Sequence, residues 1–374
     1  MALIFNTEIS ETEVLHAFNN SVVEFYSDSE KTSIKATIII LGEELEITPN
    51  PNGVFRYNFK EFVKKLINTN YFQDTIQPNI QTSFVYTDDT VFKDLEVNYK
   101  VQLNDLTEDV ITKNYKFLKS VKQLEDYRRN ETNTNNTELS VLYPSDGNKI
   151  YHTTYFEGYP FDIPIYSNID REITIANKKT GLSTSFNLTK GVNRLFVSDG
   201  SSNFSLENKL PLYLGVNELE VKINNEVAVT IFLKKKDSEC GVYLKWFNND
   251  GGWNYFLYRY PSENRKFKSS GTVNKDYENL KDTNDLDIEM GLDSSDTIRF
   301  FAGRLDENEK NIINGLSESP KIYRYLKCMF QKSEFNNWIS ERIGFSSTNL
   351  TDSKKNLYQS VVTLKKAKRN TMTL

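Results

Sequence analysis

Acid–base, nucleophilic or metal-assisted chemistry needs several polar groups converging on one point, and the residue types that supply them are sparse here. The two histidines, His16 and His152, stand alone. Cys240 and Cys328 lie far apart without C-x-x-C spacing, so they read as two buried thiols rather than a zinc site or a disulfide framework. No H-x-x-x-H pair, G-x-S-x-G elbow, phosphate-binding loop or dinucleotide fingerprint occurs. The acidic stretch Asp282-Thr283-Asn284-Asp285-Leu286-Asp287-Ile288-Glu289 offers the oxygen ligands that calcium takes. It lacks the glycine that an EF-hand loop requires at its sixth position, and alternation sets its carboxylates on one face of a strand, so a solvated strand face is the better reading. A glycosidase pair would have to be selected from 51 acidic residues, and their spacing selects none. The expectation is a non-enzymatic chain with no catalytic residue, cofactor or metal.

Binding chemistry has more to draw on. Trp246, Trp253, Tyr255, Phe256, Tyr258 and Tyr260 crowd into one hairpin, and exposed rings of this kind stack on sugars or partner surfaces. Trp246, Trp253 and Tyr255 are therefore the candidate glycan or partner contacts, although alternation groups Trp246 with Val242 and Leu244, which favours core packing. The basic run Lys365-Lys366-Ala367-Lys368-Arg369 follows an apolar segment at 360–364 and suits a final edge strand whose lysines discourage unwanted pairing. With a net charge of −5 and both signs interspersed, no nucleic-acid surface is expected. No secretion signal and no apolar run of membrane-spanning length is read, and the six N-x-S/T sequons carry no functional weight in an Asn-rich chain.

The elements that must position these residues are mostly strands. At 374 residues two or three domains are expected. The apolar fraction, 38%, is modest, but 24 Phe, 21 Tyr and 3 Trp supply large buried areas. Segments at 21–26, 34–41, 82–86 and 96–103 are β-branched or alternating, and Pro49-Asn50-Pro51-Asn52-Gly53 marks a hairpin or a sheet-to-sheet corner. Phe59, Phe62, Val63, Leu66 and Ile67 recur at helical spacing behind Asn58 as N-cap, which predicts a short helix at 59–68. Residues 107–128 carry both periods and are assigned to helix. Residues 129–137 lack apolar side chains and read as a linker. The domain expectation is 1–128, a β-rich domain with short helices; 138–235, a β-sandwich of immunoglobulin-like character without the Cys-Trp-Cys signature; and 236–374, a β-rich domain with the aromatic hairpin and one helix at 306–316. The fold class is mainly β and multi-domain.

The segment Cys240-Gly241-Val242-Tyr243-Leu244-Lys245-Trp246-Phe247-Asn248-Asn249-Asp250-Gly251-Gly252-Trp253 resembles a hairpin of virion proteins from tailed phages and prophages of Bacteroidetes. Leu316-Ser317-Glu318-Ser319-Pro320-Lys321-Ile322-Tyr323 and Asp352-Ser353-Lys354-Lys355-Asn356-Leu357-Tyr358 are similar to later segments of the same proteins, and residues 53–61 match more weakly. The resemblance implies a structural tail or baseplate protein of the virion, made in the host bacterial cytoplasm. Its partners would be copies of itself in a ring or collar and other tail proteins. It supplies no catalytic residue. A host-surface or glycan-binding module on the particle, with the hairpin rings exposed, is the alternative, and a glycan-degrading enzyme is the second.

Overall fold

The computed structural model describes residues 2–76, 83–124, 138–144, 149–200, 206–237, 240–274, 281, 286–326, 338–348 and 358–366. The chain divides into two compact units, one of 1–237 with 247–254 and one of 238–246 with 255–374. It is a mainly β protein of several sheets, as its alternating patterns imply.

The first unit contains two β-sandwiches. In the first, β1 (Leu3–Thr7), β3 (Val22–Ser27) and β6 (Phe55–Asn58) form one sheet. The other runs β2 (Val14–His16), β9 (Glu108–Leu118), β8 (Phe92–Leu103), β4 (Ser33–Ile40) and β5 (Glu43–Ile47). Alternation places Val23 and Phe25, Ile38 and Ile40, Val97, Tyr99 and Val101, and Tyr115 and Phe117 in their shared core. The turn at 49–53 is a sheet-to-sheet corner between β5 and β6. There Asn50 Oδ1 accepts the amides of Asn52 (2.9 Å) and Val54 (3.0 Å), and Gly53 takes φ +77°. Helix α1 (Lys60–Ile67) forms where helical spacing predicts it, burying Val63 and Ile67. Its N-cap is Phe59 rather than Asn58, whose Oδ1 still accepts the Lys60 amide at 3.1 Å.

The helix expected across 107–128 is instead strand β9, paired with β8 from Phe92↔Leu118 to Gln102↔Glu108. Two-residue alternation at Tyr115 and Phe117 wins because both rings complete the core, whereas Val110, which the helical pattern needed inside, is exposed. Residues 125–128 and the linker 129–137 lie outside the described residues.

The second sandwich pairs β10 (Leu139–Val141), β12 (Pro160–Ser167), β15 (Gly191–Asp199) and β7 (Val85–Thr87) in one sheet. Its other sheet runs β11 (Ile150–Phe156), β17 (Glu226–Lys236), β16 (Gly215–Ile223), β13 (Arg171–Asn177) and β14 (Leu182–Leu188). Tyr155 of β11 meets Phe161 of β12 at 5.6 Å between them. Helix α2 (Leu206–Lys209) follows β15. Strand β7 precedes the expected linker in sequence yet pairs with β15 through Asn193↔Thr87 and Leu195↔Val85. Strand β7, from the stretch of chain that otherwise builds the first sandwich, thus completes a sheet of the second, and both sandwiches lie within one compact unit.

The second unit is a closed barrel in the order β18 (Val242–Phe247), β19 (Trp253–Asn274), β20 (Asp287–Leu305), β23 (Tyr358–Lys365), β22 (Trp338–Thr348) and β21 (Ile322–Tyr325). Helix α3 (Glu307–Asn314) starts with a capping box: Asp306 Oδ1 accepts the Glu309 amide at 2.9 Å and Glu309 Oε2 the Asp306 amide at 3.3 Å. The segment expected as an edge strand at 360–364 is central, hydrogen-bonded to β20 on one side and β22 on the other. Closure leaves it no edge to protect. Among the described residues no helix is long and apolar enough to cross a membrane.

Candidate interaction site

The candidate rings of the hairpin are buried: Trp246 is 0% exposed, Trp253 3% and Tyr255 3%. Tyr255 stacks on Tyr243 at 6.0 Å inside the barrel unit, and Trp246 lies there beside Gly315. Trp253 meets Phe247 edge-on at 5.3 Å in the first unit. None of the three presents an exposed face. The physical reason is size: rings this large complete a core wherever alternation admits them. Both histidines are also in structural contacts, His16 Nδ1 with Ser120 Oγ at 2.7 Å and His152 stacked on Phe232 at 5.1 Å. Cys240 is exposed and disulfide-bonded rather than a buried thiol, and Cys328 lies outside the described residues.

The turn Asn248-Asn249-Asp250-Gly251-Gly252 owes its residues to packing within the first unit. Asn248 Nδ2 donates to the Leu142 carbonyl at 2.9 Å, and Lys122 Nζ reaches Asp250 Oδ1 at 2.8 Å. A Cβ on Gly252 would sit 2.4 Å from Pro164 Cγ and 2.8 Å from the Leu142 oxygen, so only glycine fits. Beside this turn lies a polar centre that sequence reasoning missed. Arg194 of β15 donates through Nη1 to Asp74 Oδ1 (2.6 Å) and through Nη2 to Asp162 Oδ2 (2.5 Å), with Trp253 6.0 Å from its Cζ. All three charged side chains are buried. Burial pushes the nearby Asp88 carboxyl above the usual carboxylate range, against the opposing pull of Arg194. Burial also pushes Lys119 down to about 8; its Nζ donates to Asn70 Oδ1 at 2.9 Å and lies 3.9 Å from the centre of the Phe72 ring. The signal in the sequence is a charge inside an otherwise apolar run, Asp162 between Phe161 and Ile163 and Arg194 before Leu195. Strands β12 and β15 are buried on both faces, so these charges must be paired inside.

The surface most available for interaction is the long hairpin of the barrel. β19 has 22 residues and β20 has 19, but β18 has only 6, and β20 pairs with β23 only from Thr297 to Leu305. Pro261–Asn274 and Asp287–Asp296 therefore form a two-stranded arm that runs on beyond β23, and at its base the Lys366 amide donates to the Asp296 carbonyl at 2.9 Å. Pro261, which has no amide to donate, opens it. Most of the arm is exposed, with Ser294 and Asp296 buried at its base, and it carries Phe267 (62% exposed), Leu292, Val273 and Met290 (each 41–42%). Arg265 forks onto Asp296 across the two strands at 2.8 and 2.9 Å. At its base a hollow of about 480 Å³ is lined by Lys266, Phe267, Lys268, Asp293 and Lys366, among others. Gly271 and Gly291 face each other with φ of +152° and +151°, a conformation open to glycine, and the Cβ position of Gly271 meets only Met290 Sδ at 3.8 Å. The acidic stretch expected as a solvated strand face runs into this arm at exposed Asp287 and Glu289; residues 282–285 lie outside the described residues.

No protein-family model and no curated protein matches the sequence. Solved structures similar to it include fibronectin(III)-like modules of Clostridium thermocellum CbhA, with 10% identity and a TM-score of 0.21 over 62% of this chain and 94% of that one. A tetra-tandem repeat from the extending region of a large adhesion protein aligns with 9% identity and a TM-score of 0.23, over 82% of this chain and 59% of that one. A Ca2+-stabilised, ice-binding adhesin of an Antarctic bacterium aligns with 10% identity and a TM-score of 0.19, over 79% and 69%.

Proposed function

We propose that this chain is a structural component of a phage tail or baseplate, of the kind its sequence resembles, assembling with copies of itself and docking other virion proteins. The observation that supports this reading is the β19–β20 arm. A two-stranded ribbon is marginal alone in water, and one that exposes Phe267, Val273, Met290 and Leu292 gains stability from a surface that covers it. A glycan-binding role would draw on exposed rings, whereas Trp246, Trp253 and Tyr255 are buried. A glycosidase role would draw on an open pair of carboxylates, whereas Asp74 and Asp162 are enclosed against Arg194. Light scattering of the purified protein, with negative-stain imaging of the same sample, tests the assembly reading. Rings or multimers of defined mass are the expected result, and a single chain at every concentration removes self-assembly from it.

A further inference from the structure

Lys119, at the end of β9, is 1% exposed, and its amine lies 3.9 Å from the centre of the Phe72 ring and 5.8 Å from that of Phe247. A buried ammonium normally pairs with a carboxylate, yet among the described residues none lies within ion-pair distance of Nζ. The polar atom it meets is Oδ1 of the Asn70 carboxamide, at 2.9 Å. Asn70 opens a strained turn in which Tyr71 and Phe72 take φ of +49° and +56°, and its Nδ2 donates to the Gln73 carbonyl at 3.1 Å. A third group is close by. The Lys119 amide donates to the Val91 carbonyl at 2.7 Å, which holds the turn bearing the buried Asp88 against Lys119. Burial lowers the amine to about 8 and raises the Asp88 carboxyl, so the same dry surroundings favour a neutral nucleophile and a protonated acid side by side.

We propose that Lys119 and Asn70 join in an intramolecular isopeptide bond made by the folded chain itself, with Asp88 carrying the proton. The neutral amine adds to Asn70 Cγ, the carbon bonded to the oxygen it already contacts. Rotation about the last side-chain bond of Asn70, a soft torsion, brings the two atoms to the separation of about 3–3.5 Å from which such attack starts. The Nζ–Cγ bond forms, the Cγ–Nδ2 bond breaks and ammonia leaves. Asp88 gives its proton to the departing Nδ2 and is restored by one of the two protons on Nζ, so nothing is oxidised or reduced. Phe72 and Phe247 keep water from the amine, while half-buried Asn70 leaves ammonia a way out. Before the bond forms, Lys119 titrates as any buried amine does. Once formed, the bond ties the turn after α1 to the end of β9 across 49 positions and restricts the unfolded chain as a disulfide would.

The test is intact-mass spectrometry of the folded full-length protein held at pH 8.5, with tandem sequencing of its peptides. The wild type is expected to become lighter by one ammonia and to yield a branched peptide joining the Asn70 and Lys119 segments. Lys119→Arg, which keeps the charge and a donor for Asn70 but has no nucleophilic amine, and Asn70→Ala are both expected to keep full mass; circular dichroism verifies that each is folded. Asp88→Asn should slow the loss of ammonia roughly a hundredfold or more. A folded wild type that keeps its full mass overturns the proposal. So does a loss of ammonia that persists in Lys119→Arg or maps to another asparagine, and bond formation at the wild-type rate in Asp88→Asn overturns the role of Asp88.

Discussion

The polar centre around Arg194 and the β19–β20 arm are two places where charge gathers on the strands of this protein, and they are opposites. In the first unit Arg194, Asp74 and Asp162 are enclosed and paired within one chain, so their charges bind β12 and β15 to the loop bearing Asp74. In the second unit Lys266, Lys268, Asp287 and Glu289 lie along a ribbon in water, where screening leaves little to be gained within the chain. The difference is one of dielectric and of what remains exposed. An enclosed charge must find its partner during folding, while a charge on an uncovered edge is available to another molecule.

Substitutions that separate the two regions should grade accordingly. Arg194→Met leaves two buried carboxylates facing each other and is expected to cost about 3–5 kcal/mol. Hydrogen exchange should then show lost protection in β12 and β15, while the amides of the arm exchange as before; equal loss in both regions would break the contrast. Next comes Lys119. Its folded pKa of about 8 lies below the 10.5 of the free side chain, so the unfolded chain holds more protons between those values, and stability rises with pH across that window. Lys119→Met removes the rise, a change of up to roughly 3 kcal/mol in denaturant titrations at pH 7.5 and pH 10.5. Gly252→Ala should cost about 1–3 kcal/mol, since the added methyl has Pro164 and the Leu142 carbonyl in its place; Trp253 fluorescence reports the displaced turn.

Asp88 gives a smaller effect of the opposite pH sign. Its folded pKa is raised, so the native state holds the proton more tightly, and stability falls as pH rises from the ordinary value of 3.8 through the folded one. Asp88→Asn, which keeps an oxygen for the Thr90 amide and hydroxyl, should therefore gain on the wild type as pH rises and match it in acid; a difference between the two that ignores pH would exclude a raised Asp88 pKa. Smallest of all is K266E/K268E, expected to alter thermal stability of the isolated chain by less than about 0.5 kcal/mol. A large loss there would show the arm to be held by its own charges and bring the two regions back together.

Much of the fold was legible in residue order. Strands at 34–41 and 96–103, the corner at Asn50 and Gly53, helix α1 and helix α3 all follow from local periodicity and turn chemistry, which act over a few residues. Residues 107–128 were misassigned because both periods are present, and only the facing strand β8 selects one. The site was less legible. Trp246, Trp253 and Tyr255 were visible as a dense aromatic group, yet whether such rings face water or core depends on what lies opposite. Arg194, Asp74 and Asp162 are 120 and 32 positions apart in the chain, and no local pattern joins them.

The sequence by itself determined that this is a β-rich protein built on large aromatic cores, with turns placed by Asn, Gly and Pro, because those preferences belong to each residue and its near neighbours. Tertiary structure alone decided that β7 completes the sheet of the second sandwich and that β23 is central in a closed barrel. It also decided that one group of charges is enclosed while another lines the edges of an arm. Strand partners, closure and burial depend on surfaces brought together from distant parts of the chain, and the free energy that selects them appears only when those surfaces meet.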